Sequence, residues 1–159
     1  MLTWVKRHAQ LSGYVRPSFG YTAAIWRQAS MSVFRPIGEP RALQVSPPET
    51  DPHSHPAGNQ NGRNSSPLPA ARLGYFNLHG VDDAAEWYGQ RDPGSDSLIG
   101  PVGEGEDYPI AVRPSDILNS GRAPQVVFSE ACYGAHIINK STDQALSLRF
   151  LQVGTHAVV

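Results

Sequence analysis

Two residues in this chain carry chemistry that their neighbours make more specific: Cys132, the single cysteine, and His79, one of six histidines. A thiol is only a few per cent thiolate at neutral pH, so a nucleophilic cysteine needs a base beside it. Imidazole is the natural base, because it titrates close to working pH. His79 is followed by Gly80, and Cys132 stands in the run Glu130-Ala131-Cys132-Tyr133-Gly134. Glycine lets backbone N–H groups turn toward a ligand, so the N–H groups of Gly80 and Cys132 could together hold a developing oxyanion. Each residue also has a plainer reading. A lone cysteine after a strand is often a small buried apolar side chain, and a His-Gly pair is often a turn.

Other residues offer less. Glu130 is two positions before the cysteine, and residues two apart on a strand share a face. Its carboxylate is either satisfied by a strand-end N–H or an arginine, or it forms one wall of a specificity pocket. Asp82 and Asp83 read as a solvated loop, with orientation of His79 as the alternative. Trp87 and Tyr88 stand in the same loop and read equally as a pocket wall, with Trp87 the candidate substrate contact, or as loop packing. His53 and His55 fall in a Pro/Asn/Ser-rich stretch without a ligand set, so no metal site is expected; His136 and His156 read as structural. Gly100-Pro101-Val102-Gly103-Glu104-Gly105 lacks the Lys-Ser/Thr of a phosphate loop, and reads as a loop near the site. Asp92, Asp96, Glu104, Glu106 and Asp107 lack the spacing of a calcium loop.

The elements that must position His79 and Cys132 are legible in the patterning. Leu73–Leu78 reads as a strand halted by His79-Gly80, and Gln125–Ser129 as a second strand two residues short of Cys132. Neighbouring strands lie about 4.8 Å apart, so side chains just beyond two adjacent strand ends can reach one substrate carbonyl. Between these strands, Pro114 and Gly121 bracket a short helix over Ser115–Ser120. Ser141 and Gln144 form a possible capping box for a helix running to about Gln152, which Gly154 ends. Thr155–Val159 begins another strand. In the first zone, Tyr21–Phe34 reads as a helix stopped by Pro36, and Leu43–Val45 as a short strand. Strands alternating with helices predict an α/β fold: a mainly parallel sheet with helices on both faces and ligands at the C-terminal strand ends. Composition divides the chain into 1–45, the N-terminal part of this α/β domain; 46–70, a flexible linker or insertion; and 71–159, the core.

The bulk numbers exclude several classes. With 159 residues and a formal net charge of −1, the chain has room for one domain and shows no basic stripe for nucleic acid. No apolar run approaches the ~18 residues of a membrane span. One cysteine rules out a disulfide framework within the chain. No apolar segment follows Met1–Arg7 to form a signal peptide, and the compartment stays open.

Strand-His79-Gly80, a spacer, then strand-Glu130-Ala131-Cys132-Tyr133-Gly134 resembles the caspase-like clan of cysteine peptidases, which includes caspases, metacaspases, legumain, clostripain and gingipains. The caspase signature is Q-A-C-x-G with a histidine about 50 residues upstream, close to the separation here. Glu130 departs from the signature's Gln, so caspase specificity does not carry over. Glu-Ala-Cys is similar to legumain, and Tyr75–Val159 is most similar to bacterial gingipain-type relatives. The resemblance implies a three-layer caspase-like fold with about six strands, roughly half of them unaccounted for in this sequence. It implies a cysteine endopeptidase with a His79–Cys132 dyad, oxyanion N–H groups from Gly80 and Cys132, no third catalytic side chain and no cofactor. The partner is a peptide or protein substrate. In metacaspases and clostripain a similarly placed acid accompanies preference for a basic side chain, which makes Glu130 the candidate for Arg or Lys recognition. The chain is expected to be a C-terminally truncated piece of a longer protein with further domains, inactive alone. The alternative is a regulatory or non-catalytic caspase-like module acting by protein binding.

Overall fold

The computed structural model describes residues 17–48, 68–94 and 107–159. Its centre is a five-stranded sheet built from β1 (Phe19–Ala23), β2 (Leu43–Ser46), β3 (Leu73–Asn77), β7 (Val126–Ser129) and β8 (Ala157–Val158). The order is β2-β1-β3-β7-β8, and every pairing is parallel. Parallel strands bury both faces, and the side chains sort accordingly. Phe19 and Phe76 point to one face with Val127. On the other face Tyr75 meets Leu43, and Tyr75 stacks on Phe128 at 6.3 Å.

Helix α1 (Arg27–Phe34) covers the Tyr75 face through Phe34. Two helices cover the Phe76 face: α2 (Pro114–Ser120), through Ile117, and α3 (Leu146–Gln152), through Leu146 and Phe150. A small antiparallel sheet packs on this second side. It comprises β4 (His79–Gly80), β5 (Trp87–Tyr88) and β6 (Ile110–Val112), in the order β4-β5-β6. Trp87 buries its ring against Phe76 and Phe150, at 5.4 and 6.0 Å. The architecture is therefore α/β with a parallel sheet between helices, as the alternation of elements predicts.

Three expectations are corrected. The helix expected over Tyr21–Phe34 starts only at Arg27, after a single 3-10 turn at Ala24–Trp26. The residues before it form β1, because Phe19 and Tyr21 pack on one face of the sheet while Thr22 meets Ser30 of α1 on the other. That alternation of period two beats the helical stripe. With β1 in place, the sheet has five strands among the described residues, so the expected shortfall of about half is not seen. The helix expected from Ser141 begins at Leu146. Ser141 N–H does donate to Gln144 Oε1 at 3.0 Å, but Ala145 is extended and the helix starts after it.

The other expected strands and the short helix are found, with ends shifted by no more than two residues. Pro114 opens α2 and Gly121, at φ 58°, ends it. Asp116 Oδ2 accepts from the Arg113 N–H at 2.8 Å, closing the helix start. Among the described residues no helix is long and apolar enough to cross a membrane. His53, His55 and the run Gly100–Gly105 lie outside the described residues.

Candidate functional site

The site forms where two adjacent parallel strands, β3 and β7, run out. Past β3, Leu78 is buried and anchors the chain before His79 and Gly80 pair with Tyr88 and Trp87. His79 therefore does not sit in a loose turn; it is held in a second sheet. Its ring packs on Trp26 at 4.3 Å and meets the edge of Tyr108 at 5.3 Å. His79 Nε2 lies 2.7 Å from Gln90 Oε1, and Gln90 Nε2 donates to the Tyr108 hydroxyl at 3.2 Å.

Past β7, Glu130 N–H extends the ladder by donating to Phe76 O at 2.8 Å. The chain then turns. Ala131 N–H donates to Ser129 Oγ at 3.2 Å, and Gly134 N–H donates to Ala131 O at 2.9 Å. Cys132 stands exposed in this turn. The next residue, Tyr133, has φ 55°, a left-handed conformation that a bulky side chain adopts rarely and at a cost.

The two ends touch through their backbones. A Cβ added to Gly80 would collide with the Cys132 carbonyl oxygen and come within 3.5 Å of Ala131 Cβ. Only glycine permits this approach. Gly80, Trp87, Cys132, His136, Lys140 and Leu146 line a narrow crevice at the junction. Lys140 Nζ donates to Asp82 O at 2.6 Å, tying the loop after Cys132 to the loop after Gly80. His136, expected to be structural, shares the crevice with Cys132. Its Nδ1 is buried and has no hydrogen-bond partner among the described residues.

The two residues expected to recognise substrate fall on different sides. Trp87 is 3% exposed, a core ring that also reaches the crevice. Glu130 is exposed and accepts from the Tyr75 hydroxyl at 2.7 Å, on the α1 side of the sheet. Burial pushes the Tyr75 hydroxyl above the usual tyrosine range; a hydrogen bond to Ser30 opposes this and the Glu130 carboxylate adds to it. Asp82 and Asp83 are exposed. Among the described residues no group of three or more His, Cys, Asp or Glu could hold a metal ion.

Trp26, Gln90, Tyr108 and Lys140 escaped the sequence reading. Trp26 was hidden inside an apparent helix, and the other three sit in segments without periodicity. The nearest signal is Gly89-Gln90 following the aromatic pair Trp87-Tyr88, a glycine that lets the chain pass close to the Ser46 backbone. No family model matches the chain, and no curated protein or solved structure matches it.

Proposed function

We propose that this chain carries the catalytic core of a caspase-like cysteine endopeptidase. One observation carries the reading: the Gly80 backbone lies against the Cys132 backbone, so the residues after two neighbouring parallel strands meet at one point. Cys132 is exposed there, and His79 immediately precedes Gly80. The C-terminal ends of parallel strands are where such folds bind ligands.

In this mechanism His79 takes the thiol proton as Cys132 Sγ attacks the peptide carbonyl carbon. The carbonyl oxygen gains the charge and is held by the N–H groups of Gly80 and Cys132. The imidazolium then gives its proton to the leaving amine, and the C–N bond breaks to leave a thioester. Water, deprotonated by His79, hydrolyses the thioester and releases the acid and the thiol. The preference for Arg or Lys at the cleavage position rests on the resemblance to the acid of metacaspases and clostripain; Glu130 would have to leave its hydrogen bond with Tyr75 to meet a guanidinium bidentately.

The test is labelling of the protein, in its full reading frame, with acyloxymethyl-ketone peptides carrying Arg, Lys, Asn or Asp at the cleavage position. The expected result is modification of Cys132, fastest with Arg. Fastest labelling with Asn or Asp would reject the role of Glu130. Failure of every peptide to label Cys132 would reject the peptidase and favour a binding module that keeps the fold.

A further inference from the structure

The His79 ring has more partners than a general base requires, and one of them is chemically directional. Gln90 faces it with an amide whose two ends differ: Oε1 lies 2.7 Å from His79 Nε2, while Nε2 donates to the Tyr108 hydroxyl at 3.2 Å. The backbone of Gln90 is itself pinned on both sides. Its N–H donates to Ser46 O at 3.0 Å, at the end of β2, and its carbonyl accepts from Ile25 N–H at 3.3 Å, just past β1. Gly89 makes this possible: an added Cβ there would collide with the Ser46 backbone and side chain. Gln90 is therefore strapped across the ends of β1 and the edge strand β2, with its side chain delivered to the ring.

We infer that Gln90 is the positioning residue of His79. Its Oε1 accepts a hydrogen bond from Nε2–H, which leaves the lone pair on Nδ1 as the basic one. In a neutral imidazole the hydrogen bond made by one nitrogen decides which nitrogen carries the proton. Trp26 and the edge of Tyr108 fix the plane of the ring, and the Gln90 amide fixes its polarity. This inference takes its catalytic meaning from the peptidase reading above, but the state of the ring is observable without turnover.

Two substitutions separate the ends of the amide. Gln90→Glu offers Nε2 only an acceptor, and Gln90→Lys offers only a donor. Long-range 1H–15N spectra of His79, recorded where the ring is neutral, show which nitrogen is protonated. The expected result is an Nε2–H ring in the parent protein and in Gln90→Glu, and a shift toward Nδ1–H in Gln90→Lys. Labelling of Cys132 by the preferred peptide ketone should fall about fivefold or more in Gln90→Lys and much less in Gln90→Glu, since one directed hydrogen bond is at stake. Gly89→Ala, which displaces the strap without touching the amide, should mix the two forms. An Nδ1–H ring in the parent, or populations unchanged by Gln90→Lys in protein that melts normally, would overturn the inference. A ring that behaves as expected in a protein whose Cys132 no ketone labels would leave Gln90 in place and remove the peptidase.

Discussion

The two strand ends that make the site are built in opposite ways. At the end of β3, His79 is paired in a second sheet, packed on Trp26 with the rings tilted, edged by Tyr108 and hydrogen-bonded to Gln90. At the end of β7, Cys132 stands exposed in a turn whose next residue is left-handed, and Tyr133, Ile137 and Ile138 after it are exposed. The His79 end is rigid and over-determined; the Cys132 end is strained and open. A proton carrier must keep one orientation through two transfers, whereas a nucleophile must be reached by a substrate chain. In the proposed peptidase the contrast would serve that division of labour.

Where the two ends meet, the largest effect is expected. Gly80→Val puts a branched side chain into the Cys132 carbonyl. It should destabilise the protein by about 1–3 kcal/mol or more, as overpacking does, and the ends must part to fold at all. Chemical denaturation reads the loss, and labelling of Cys132 should fall with it. Normal stability in this variant would mean that the ends are not in contact.

Breaking one end alone sharpens the contrast. Gly89→Ala strikes the Ser46 backbone and should cost about 1–3 kcal/mol. At the other end, Tyr133→Gly relieves the left-handed backbone at φ 55°. A net gain of up to about 1 kcal/mol is expected, the strain removed less the extra freedom of the unfolded chain. Thermal melting separates the two: a loss at the braced end and a gain at the strained one.

The smallest effect is with pH. Burial raises Tyr21, Tyr75 and Tyr88 above the ordinary tyrosine value of 10.0. A neutral hydroxyl favoured by the fold supports stability below the unfolded value, and that support is lost as pH rises from there through the folded values. Stability should therefore be flat below about pH 10 with respect to these groups and decline above it. Tyr75→Phe should lessen the decline. An unaltered decline would place the loss on the other two tyrosines.

Much of this scaffold is legible in the sequence because local signals and tertiary packing agree. Pro114 and Gly121 bracket a helix by backbone chemistry alone, and the apolar runs at Leu73 and Gln125 have few alternatives to a strand. At Phe19–Ala23 the signals conflict, since a small-residue stripe runs on into a true helix and only the neighbouring strands decide for β1. The placement of Cys132 and His79 just past two neighbouring strands is legible from the apolar runs that precede them. Their bracing is not, because Trp26, Gln90 and Tyr108 meet only once the antiparallel sheet folds over the strand ends. Glu130 shows the limit of pattern reasoning. Two residues apart share a face on a strand, but the chain leaves the strand at Ser129, and Glu130 turns to Tyr75 while Cys132 enters the crevice.

That crevice holds His136, whose buried Nδ1 has no hydrogen-bond partner among the described residues, whereas His79 is not in its lining, so the proposed base has a rival. The most direct measurement is the rate at which the preferred peptide ketone labels Cys132 in His79→Ala and in His136→Ala, each confirmed as folded. With His79 as the base, its loss should slow labelling by about a hundredfold or more, and loss of His136 should change it by less than about threefold. An unchanged rate in His79→Ala, or a collapse in His136→Ala alone, would contradict the dyad.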